Sequence, residues 1–265
     1  MDTIPKVSVI LPVYNGEKTV AEAVRSILNQ HHENFELLIV DDCSIDRTSA
    51  IVDSLQDPRV RIFHLPENVG RAEARNFGMS AARGVYLAMM DADDISYPDR
   101  LRLQVSFMDT HPELALCGGW ADLLDPTGRR LEWRQPHDPA LIKRNLLRSN
   151  PFIHSTILFR RGVIDDVGGF DKTLEPAEDY DLYLRIAAKY PVAVLPYRLA
   201  EYRATVGLHY RVREQWAKLP VRWKAIFSYG YPRTELWCLA TPLIGLLLPV
   251  RVKLYLRGKV SGLFV

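Results

Sequence analysis

Apolar and polar residues fall in blocks along the chain that predict strands and helices in turn. Val7 to Val13 is an apolar run of strand length, and Tyr14-Asn15-Gly16 turns out of it. Val20, Ala23, Val24, Ile27 and Leu28 then recur at i, i+3, i+4, i+7 and i+8, which is one face of a helix lying on a sheet. Phe35 to Val40 is a second buried strand and ends in Asp41 and Asp42. A helix from about Asp46 to Leu55, a strand Val60 to His64 and a helix from about Gly70 to Ala82 lead to a third apolar run, Val85 to Met90. Strands alternating with helices at this spacing predict a mostly parallel sheet flanked by helices, with right-handed crossovers.

Beyond Met90 the rhythm changes. Ser96-Tyr97-Pro98-Asp99 reads as a helix start, with its own cap, a proline for the first turn and an acid, and the helix runs to about Thr110. Leu114 to Trp120 reads as a strand and Asp125-Pro126-Thr127-Gly128 as a turn. Strands at Ser155 to Arg160 and Val192 to Leu195, a tight turn at Gly168 to Asp171 and a helix from Ala177 to Tyr190 complete an antiparallel or mixed extension. This divides the chain into residues 1–120, residues 121–207 of the same domain, and a tail, 208–265.

Charge separates the tail from the body. The net charge of +2 combines +8 in residues 208–265, where ten Lys/Arg meet only Glu214 and Glu235, with −6 in the rest. Leu236 to Val250 is apolar but broken by Pro242 and Pro249 and shorter than the ~20 residues of a spanning helix. Arg251, Lys253, Arg257 and Lys259 follow, so the tail suits the interface of an anionic membrane, or a site on the body or on a partner. Cys43, Cys117 and Cys238 have neither metal nor disulfide spacing, and the start lacks an export signal, so the expected compartment is cytoplasmic. No nucleic-acid partner is expected.

The chemistry concentrates where apolar runs end in acids. Asp91, Asp93 and Asp94 stand at the carboxyl end of the central strand, where open α/β sheets bind ligands. Carboxylates gathered there repel one another and usually hold a divalent cation through oxygen. The alternative, helix capping, already has candidates in Ser96 to Asp99.

With these residues in view, the sequence resembles the family 2 glycosyltransferases of the nucleotide-diphospho-sugar transferase (GT-A) fold. The resemblance is carried by VSVILPVYN at Val7 to Asn15, VDDCS at Val40 to Ser44, NVGRAEARN at Asn68 to Asn76, MDADD at Met90 to Asp94, GGFD at Gly168 to Asp171 and EDYDLYLR at Glu178 to Arg185. The six stand in the family's order across roughly residues 5 to 205.

The resemblance implies roles for particular residues. Asp42, or its neighbour Asp41, accepts a hydrogen bond from a donor base such as uracil, with Pro12, Val13, Tyr14 and Asn15 around the base; the alternative is that one of the two acids caps the following helix. Cys43 stands where the family often has glycine. Arg75 binds the nucleotide or its phosphates, unless it is an exposed helix arginine. Asp91 lies near the donor ribose and Asp93, with Asp91, holds Mg²⁺ or Mn²⁺ on the diphosphate, while Asp94 supports the site. Asp179 is the base that takes the acceptor's proton, or else an acid that stabilises the helix dipole. His154 faces the acceptor or the diphosphate, and Trp120, Trp133 and Tyr202 are candidates for stacking on sugars, or core aromatics.

The expected activity is inverting, metal-dependent transfer from a nucleotide-sugar, UDP-sugar first, to a hydroxyl of a glycan or lipid-linked acceptor. The enzyme is expected to be peripheral on the cytoplasmic face of a membrane. In the Gln-x-x-Arg-Trp motif of processive synthases, Leu219 takes the glutamine position before Arg222-Trp223, so one sugar per encounter is expected. A catalytically inactive binding partner of another transferase is the alternative. A nucleotidyltransferase would need a glycine-rich, basic loop after the first strand, which Tyr14-Asn15-Gly16-Glu17 is not.

Overall fold

The computed structural model describes residues 4–124, 130–134, 142, 145–148, 150–203 and 208–240. The first half follows the apolar pattern closely. Strands β1 (Val7–Val13), β2 (Phe35–Asp41), β3 (Val60–His64) and β4 (Tyr86–Met89) alternate with helices α1 (Val20–Leu28), α2 (Thr48–Asp53) and α3 (Arg71–Ala81). These strands pair in parallel in the order β3-β2-β1-β4. Both faces of the sheet are covered, which is why the strands carry unbroken apolar runs. Ile10, Leu38, Leu87 and Met89 face one core with α3, while Val9, Leu11, Leu37 and Ile39 face the other with α1. A Cβ at Gly78 would fall 2.6 Å from Ile10 Cγ2, so this glycine lets α3 lie close on β1.

The second half adds β5 (Ile95–Ser96), α4 (Arg100–Thr110), β6 (Leu116–Leu124), β7 (Arg130–Trp133), β8 (Leu158–Arg160), α5 (Arg161–Val167), α6 (Glu178–Lys189), β9 (Val192–Arg203) and α7 (Leu208–Ser228). Among the described residues the nine strands form one sheet, β3-β2-β1-β4-β8-β6-β9-β5, with β7 hairpinned onto β6. Antiparallel β8 joins the two parallel halves.

Three expectations for this half need correction. Ser155 to Thr156 is not strand: residues His154–Thr156 make a 3₁₀ turn. The Thr156 hydroxyl donates to Ile153 O, offering the backbone a local alternative to the ladder. The last strand runs to Arg203 rather than Leu195, because β9 bulges at Pro196, Tyr197 and Leu199 and then resumes its pairing with β6. The helix start at Ser96 to Asp99 supplies no side-chain cap; Ser96 is in β5, where its hydroxyl accepts from Gln30, and Asp99 takes Arg102 and His31 instead.

Helix α7 docks on α6 through Val221, Ala225 and Ile226, with Tyr229 donating to Asp181 and Lys224 to Asp171. No described helix is long and apolar enough to cross a membrane. The apolar tail beyond Ala240 and its four cations lie outside the described residues, as do the turn at 125–128 and the Trp133 side chain.

Candidate active site

The loops after β1 and β2 are laced together. Asp42 N donates to Val13 O, Asn15 N to the Ser44 hydroxyl, and Ile45 N to Asn15 Oδ1. Asn15 and Cys43 both take left-handed backbone conformations, with φ of 51° and 60°. Asn tolerates this region; Cys43, at a position where glycine would be unstrained, does not favour it. Tyr14 is exposed at this rim, Pro12 is half-buried, and Val13 faces the core.

Asp41 and Asp42 are both buried and both hydrogen-bonded within the protein. Asp42 accepts from the N–H groups of Val69 and Gly70 at 2.8 and 3.0 Å; Gly70, with φ of 86°, shapes the turn that aims them. Asp41 accepts from Ser44 N and the Ser49 hydroxyl and lies 3.0 Å from His64 Nδ1. Burial pushes its carboxyl up, but these hydrogen bonds outweigh it and hold the pKa below the usual range. Neither acid caps α2, whose first turn is served by Asp46 accepting from Thr48 N. The acids expected at the donor base therefore bond to the protein itself, pinning the loops after β2 and β3.

The two other acidic clusters converge on one guanidinium. Arg75 is buried rather than an exposed helix arginine. Its Nη2 donates to Asp91 Oδ1 at 2.9 Å and its Nη1 to Glu178 Oε1 at 2.7 Å, with the Phe170 ring centroid 5.4 Å away. Arg71, one turn earlier on α3, reaches the same Glu178 oxygen at 3.0 Å. Strand β4 and helix α6 thus bring Asp91 and Glu178-Asp179 to one place, not to opposite sides.

Ionisation divides these acids. Burial opposes the charge on Asp91, yet Arg75 holds its pKa below the usual range. Asp93 is exposed and makes no hydrogen bond to another residue among those described; partial desolvation and then the charge of Asp91 raise its pKa. Asp94 is buried and raised further by burial and by Asp91, and is held by the Ser155 hydroxyl and by Arg203 N at 2.9 Å. Ser155 also accepts from Asp91 N, so one hydroxyl fixes two members of the triplet. On α6, Asp179 is raised to about 6 by burial and then by Glu178, with Arg75 opposing.

His154 lies beneath. Burial and then Arg75 push its pKa down to about 3, so the ring is neutral, with Nδ1 2.8 Å from the Tyr183 hydroxyl and Nε2 4.0 Å from Asp91. His154 Nε2, Arg75 Nε and Glu178 Oε2 are buried without a hydrogen-bond partner. Buried polar atoms are usually paired, and these three all belong to the network that joins Arg75 to Asp91 and Glu178.

Among the described residues no three His, Cys, Asp or Glu side chains gather closely enough to hold a metal by themselves. The donor set still fits Mg²⁺ or Mn²⁺, since Asp93 and the second oxygen of Asp91 offer hard ligands at a site where acids repel. Such cations commonly take one or two carboxylates and complete their shell with water and substrate phosphate.

Sequence reasoning missed Glu178, Ser155, Arg203 and Arg100. Arg100 is fully buried and donates from one nitrogen to Met89 O and Ile157 O, fixing the end of β4 just before the triplet. One signal was present for Glu178: Arg71 and Arg75 are spaced i, i+4 on the helix facing it. Trp120 is half-buried against the core with Arg134 5.3 Å from its ring, and Tyr202 is half-buried.

Residues 8–168 match the family model for glycosyl transferase family 2. The putative glycosyltransferase EpsE of Bacillus subtilis is 34% identical over 190 residues, 70% of this chain and 68% of that protein. The succinoglycan biosynthesis protein ExoO of Rhizobium meliloti is 34% identical over 197 residues, and the match spans 69% of this chain and only 56% of ExoO. Among solved structures, TarS 1–349 of S. aureus in complex with UDP-GlcNAc superposes with a TM-score of 0.72 at 22% identity, over 94% of this chain and 77% of that one. The mannosyltransferase PcManGT of Pyrobaculum calidifontis, in complex with GDP-Man and Mn²⁺, superposes with a TM-score of 0.64 at 19% identity, over 97% and 80%. At such identities these two establish the fold, which is GT-A.

Proposed function

The chain belongs to glycosyl transferase family 2, and from that premise we propose an inverting, metal-dependent transferase that moves one sugar from a nucleoside-diphosphate donor, a UDP-sugar first. The acceptor is a hydroxyl of a glycan or lipid-linked saccharide, in the biosynthesis of a polysaccharide or glycolipid. The observation that carries the reading is the single Arg75 guanidinium bonded to both Asp91 and Glu178. It supports a common cleft, with the donor's diphosphate beside the triplet and the acceptor beside Asp179.

In this reading Asp179 takes the proton of the acceptor hydroxyl as that oxygen attacks the anomeric carbon. The bond to the diphosphate breaks on the opposite face, so the configuration inverts. A pKa near 6 leaves Asp179 ionised yet basic enough at neutral pH. Arg75 and Arg71 contribute fixed positive charge close to the phosphates. A divalent cation held by Asp93 and Asp91 would offset the charge growing on the leaving diphosphate. Tyr14 and Pro12 offer surface to the donor base, above loops braced by Asn15, Asp41 and Asp42.

An acceptor cleft is supported on the same side of the sheet. Leu116 faces the core that includes α6, and strand alternation puts Trp120 and Asp122 on that face. They line an open depression of about 670 Å³ with Tyr97, Glu132, Tyr197 and Arg198. Aromatic rings beside carboxylates and a guanidinium suit a saccharide.

Thermal unfolding with UDP-, GDP- and dTDP-sugars, with and without Mn²⁺, tests the donor and the metal. A UDP-sugar with Mn²⁺ is expected to raise Tm by about 5–10 °C at a hundredfold excess over Kd. Asp93→Asn should remove the metal-dependent part of that rise. Equal shifts without metal would retire the metal, and no shift with any of the three would retire the donor class.

A further inference from the structure

The outer face of α7 is exposed and apolar. Trp216, Trp223 and Phe227 follow at i, i+7 and i+11, within about 40° of arc on a helix of 3.6 residues per turn. They are 42%, 56% and 46% exposed, while Val221, Ala225 and Ile226 on the other side are buried against α6. The Trp223 and Phe227 ring centroids are 4.4 Å apart, and the Arg233 guanidinium lies 5.9 Å from Phe227. The 3₁₀ helix Arg233–Ala240 adds Leu236 and Trp237, 41% and 40% exposed, with Arg148 5.2 Å from the Trp237 ring. Exposed apolar residues clustered this way mark an interaction surface.

The charge of the sequence segment that carries them selects the occupant. Residues 208–265 carry ten Lys/Arg and two Glu, whereas the preceding 207 residues are net acidic. Immediately after the exposed cluster the sequence continues through Leu243-Ile244-Gly245-Leu246-Leu247-Leu248 to Arg251, Lys253, Arg257 and Lys259, without a single acid. A second copy docked face to face through this segment would set cation against cation. A bilayer with anionic headgroups satisfies both features, because Trp rings settle at headgroup level and cations sit among the phosphates.

We propose that Trp216, Trp223 and Phe227 of α7, with Leu236 and Trp237, form the face through which this protein docks on an anionic lipid bilayer. Helix α6, which begins with Glu178 and Asp179, packs behind that face, about 8–10 Å away by the spacing of packed helices. This deepens the lipid-linked acceptor in the reading above and rests on it only for the biological use of the contact. The docking itself is measured without donor or acceptor.

Flotation with vesicles of phosphatidylglycerol and phosphatidylcholine in equal parts, against phosphatidylcholine alone, tests it with the full chain. Wild type is expected to float with the anionic vesicles and to be released by high salt. The double variant Trp223→Ser, Phe227→Ser is expected to partition at least about tenfold less, since each ring withdraws apolar area from water on docking. Its donor-induced Tm shift should be unchanged, which separates loss of docking from loss of fold or of donor binding. A second readout needs no variant: lipids brominated near the headgroup should quench the tryptophan fluorescence of wild type. Equal binding to both vesicle types, equal partitioning of the variant, absence of quenching, or a wild-type dimer that the variant converts to monomer would each overturn the proposal.

Discussion

The triplet at the end of β4 and the pair at the start of α6 are both acidic, but they are held in different ways. Asp91, Asp93 and Asp94 stand at a strand end, braced by a serine hydroxyl and by the backbone of β9. Glu178 and Asp179 open a helix, where the macrodipole favours their charge. What they share is Arg75, which takes one carboxylate from each cluster; the pKa values of Asp93 and Asp179 are raised instead by burial and then by the neighbouring acids Asp91 and Glu178. One buried guanidinium thus ties Asp91 to Glu178, while Asp94 is held by Ser155 and Arg203 N, and Asp93 and Asp179 are not bonded to the guanidinium.

Removing that guanidinium gives the largest expected effect. Arg75→Met leaves Asp91 and Glu178 without their shared partner, and breaking a buried pair in this way costs about 3–5 kcal/mol. For a chain of this size that corresponds to a fall in Tm of roughly 10 °C or more, with loss of donor binding. Arg75→Lys sharpens the comparison, since an ammonium keeps the charge but not the planar fork that serves two acids at once. Thermal unfolding and donor titration of both variants provide the check. A lysine variant as stable and as active as wild type would mean that charge alone, not the shared fork, organises the two clusters.

The next effect separates the pair on α6. Asp179→Asn should lower turnover by about 10²–10⁴, the usual contribution of a general base, with donor affinity nearly unchanged. Its effect on stability has the opposite sign. The folded pKa of about 6 lies above the usual Asp value of 3.8, so the stability linked to this proton is fully present below about pH 4 and is lost as pH rises through 6. At pH 7 the loss is at most ~3 kcal/mol, because each tenfold change in proton affinity is worth about 1.4 kcal/mol. The Asn variant should therefore melt higher than wild type at pH 7 and show no such gain at pH 4. Wild-type kcat/KM should fall as pH drops below about 6. A variant that loses turnover but gains no stability at pH 7 would mean that Asp179 is not strained by its surroundings.

The half of the site on the parallel sheet was legible in the sequence, and the half on the mixed sheet was less so. β1 and β3 have the expected bounds, because strands buried on both faces leave runs that end where burial ends. β9 was read as four residues because Pro196 and the polar residues after it obscure a bulged strand whose register is set by β6, 70 and more positions earlier in the chain. The residues that brace the acidic triplet were harder still. Ser155 and the backbone N–H of Arg203 act on Asp94 from 61 and 109 positions away, and nothing in their local pattern marks them. Asp41 and Asp42 were conspicuous in sequence, yet the spacing of two aspartates does not tell whether their oxygens point to a ligand or to the protein's own amides.

That third acidic cluster extends the comparison and predicts its smallest effect. Asp42 is fixed by two backbone N–H groups and Asp41 by Ser44, Ser49 and His64, with no guanidinium among the described residues bonded to either, so the turn between β2 and α2 should tolerate change better than Arg75 does. Cys43 sits in that turn at φ 60°, where a side chain costs on the order of 1 kcal/mol or more and glycine costs nothing. Glycine also enlarges the unfolded ensemble, which returns about 0.5–1 kcal/mol of the gain. Cys43→Gly should thus raise Tm by no more than about 2–4 °C, with donor KM unchanged, in thermal unfolding and initial-rate assays. Asn15→Gly, at the matching left-handed position across the rim, should lower Tm instead, because it also removes the carboxamide oxygen that accepts from Ile45 N. If Cys43→Gly instead weakened donor binding as strongly as Arg75→Met, the turn's geometry, rather than the arginine, would be the organising element of the site.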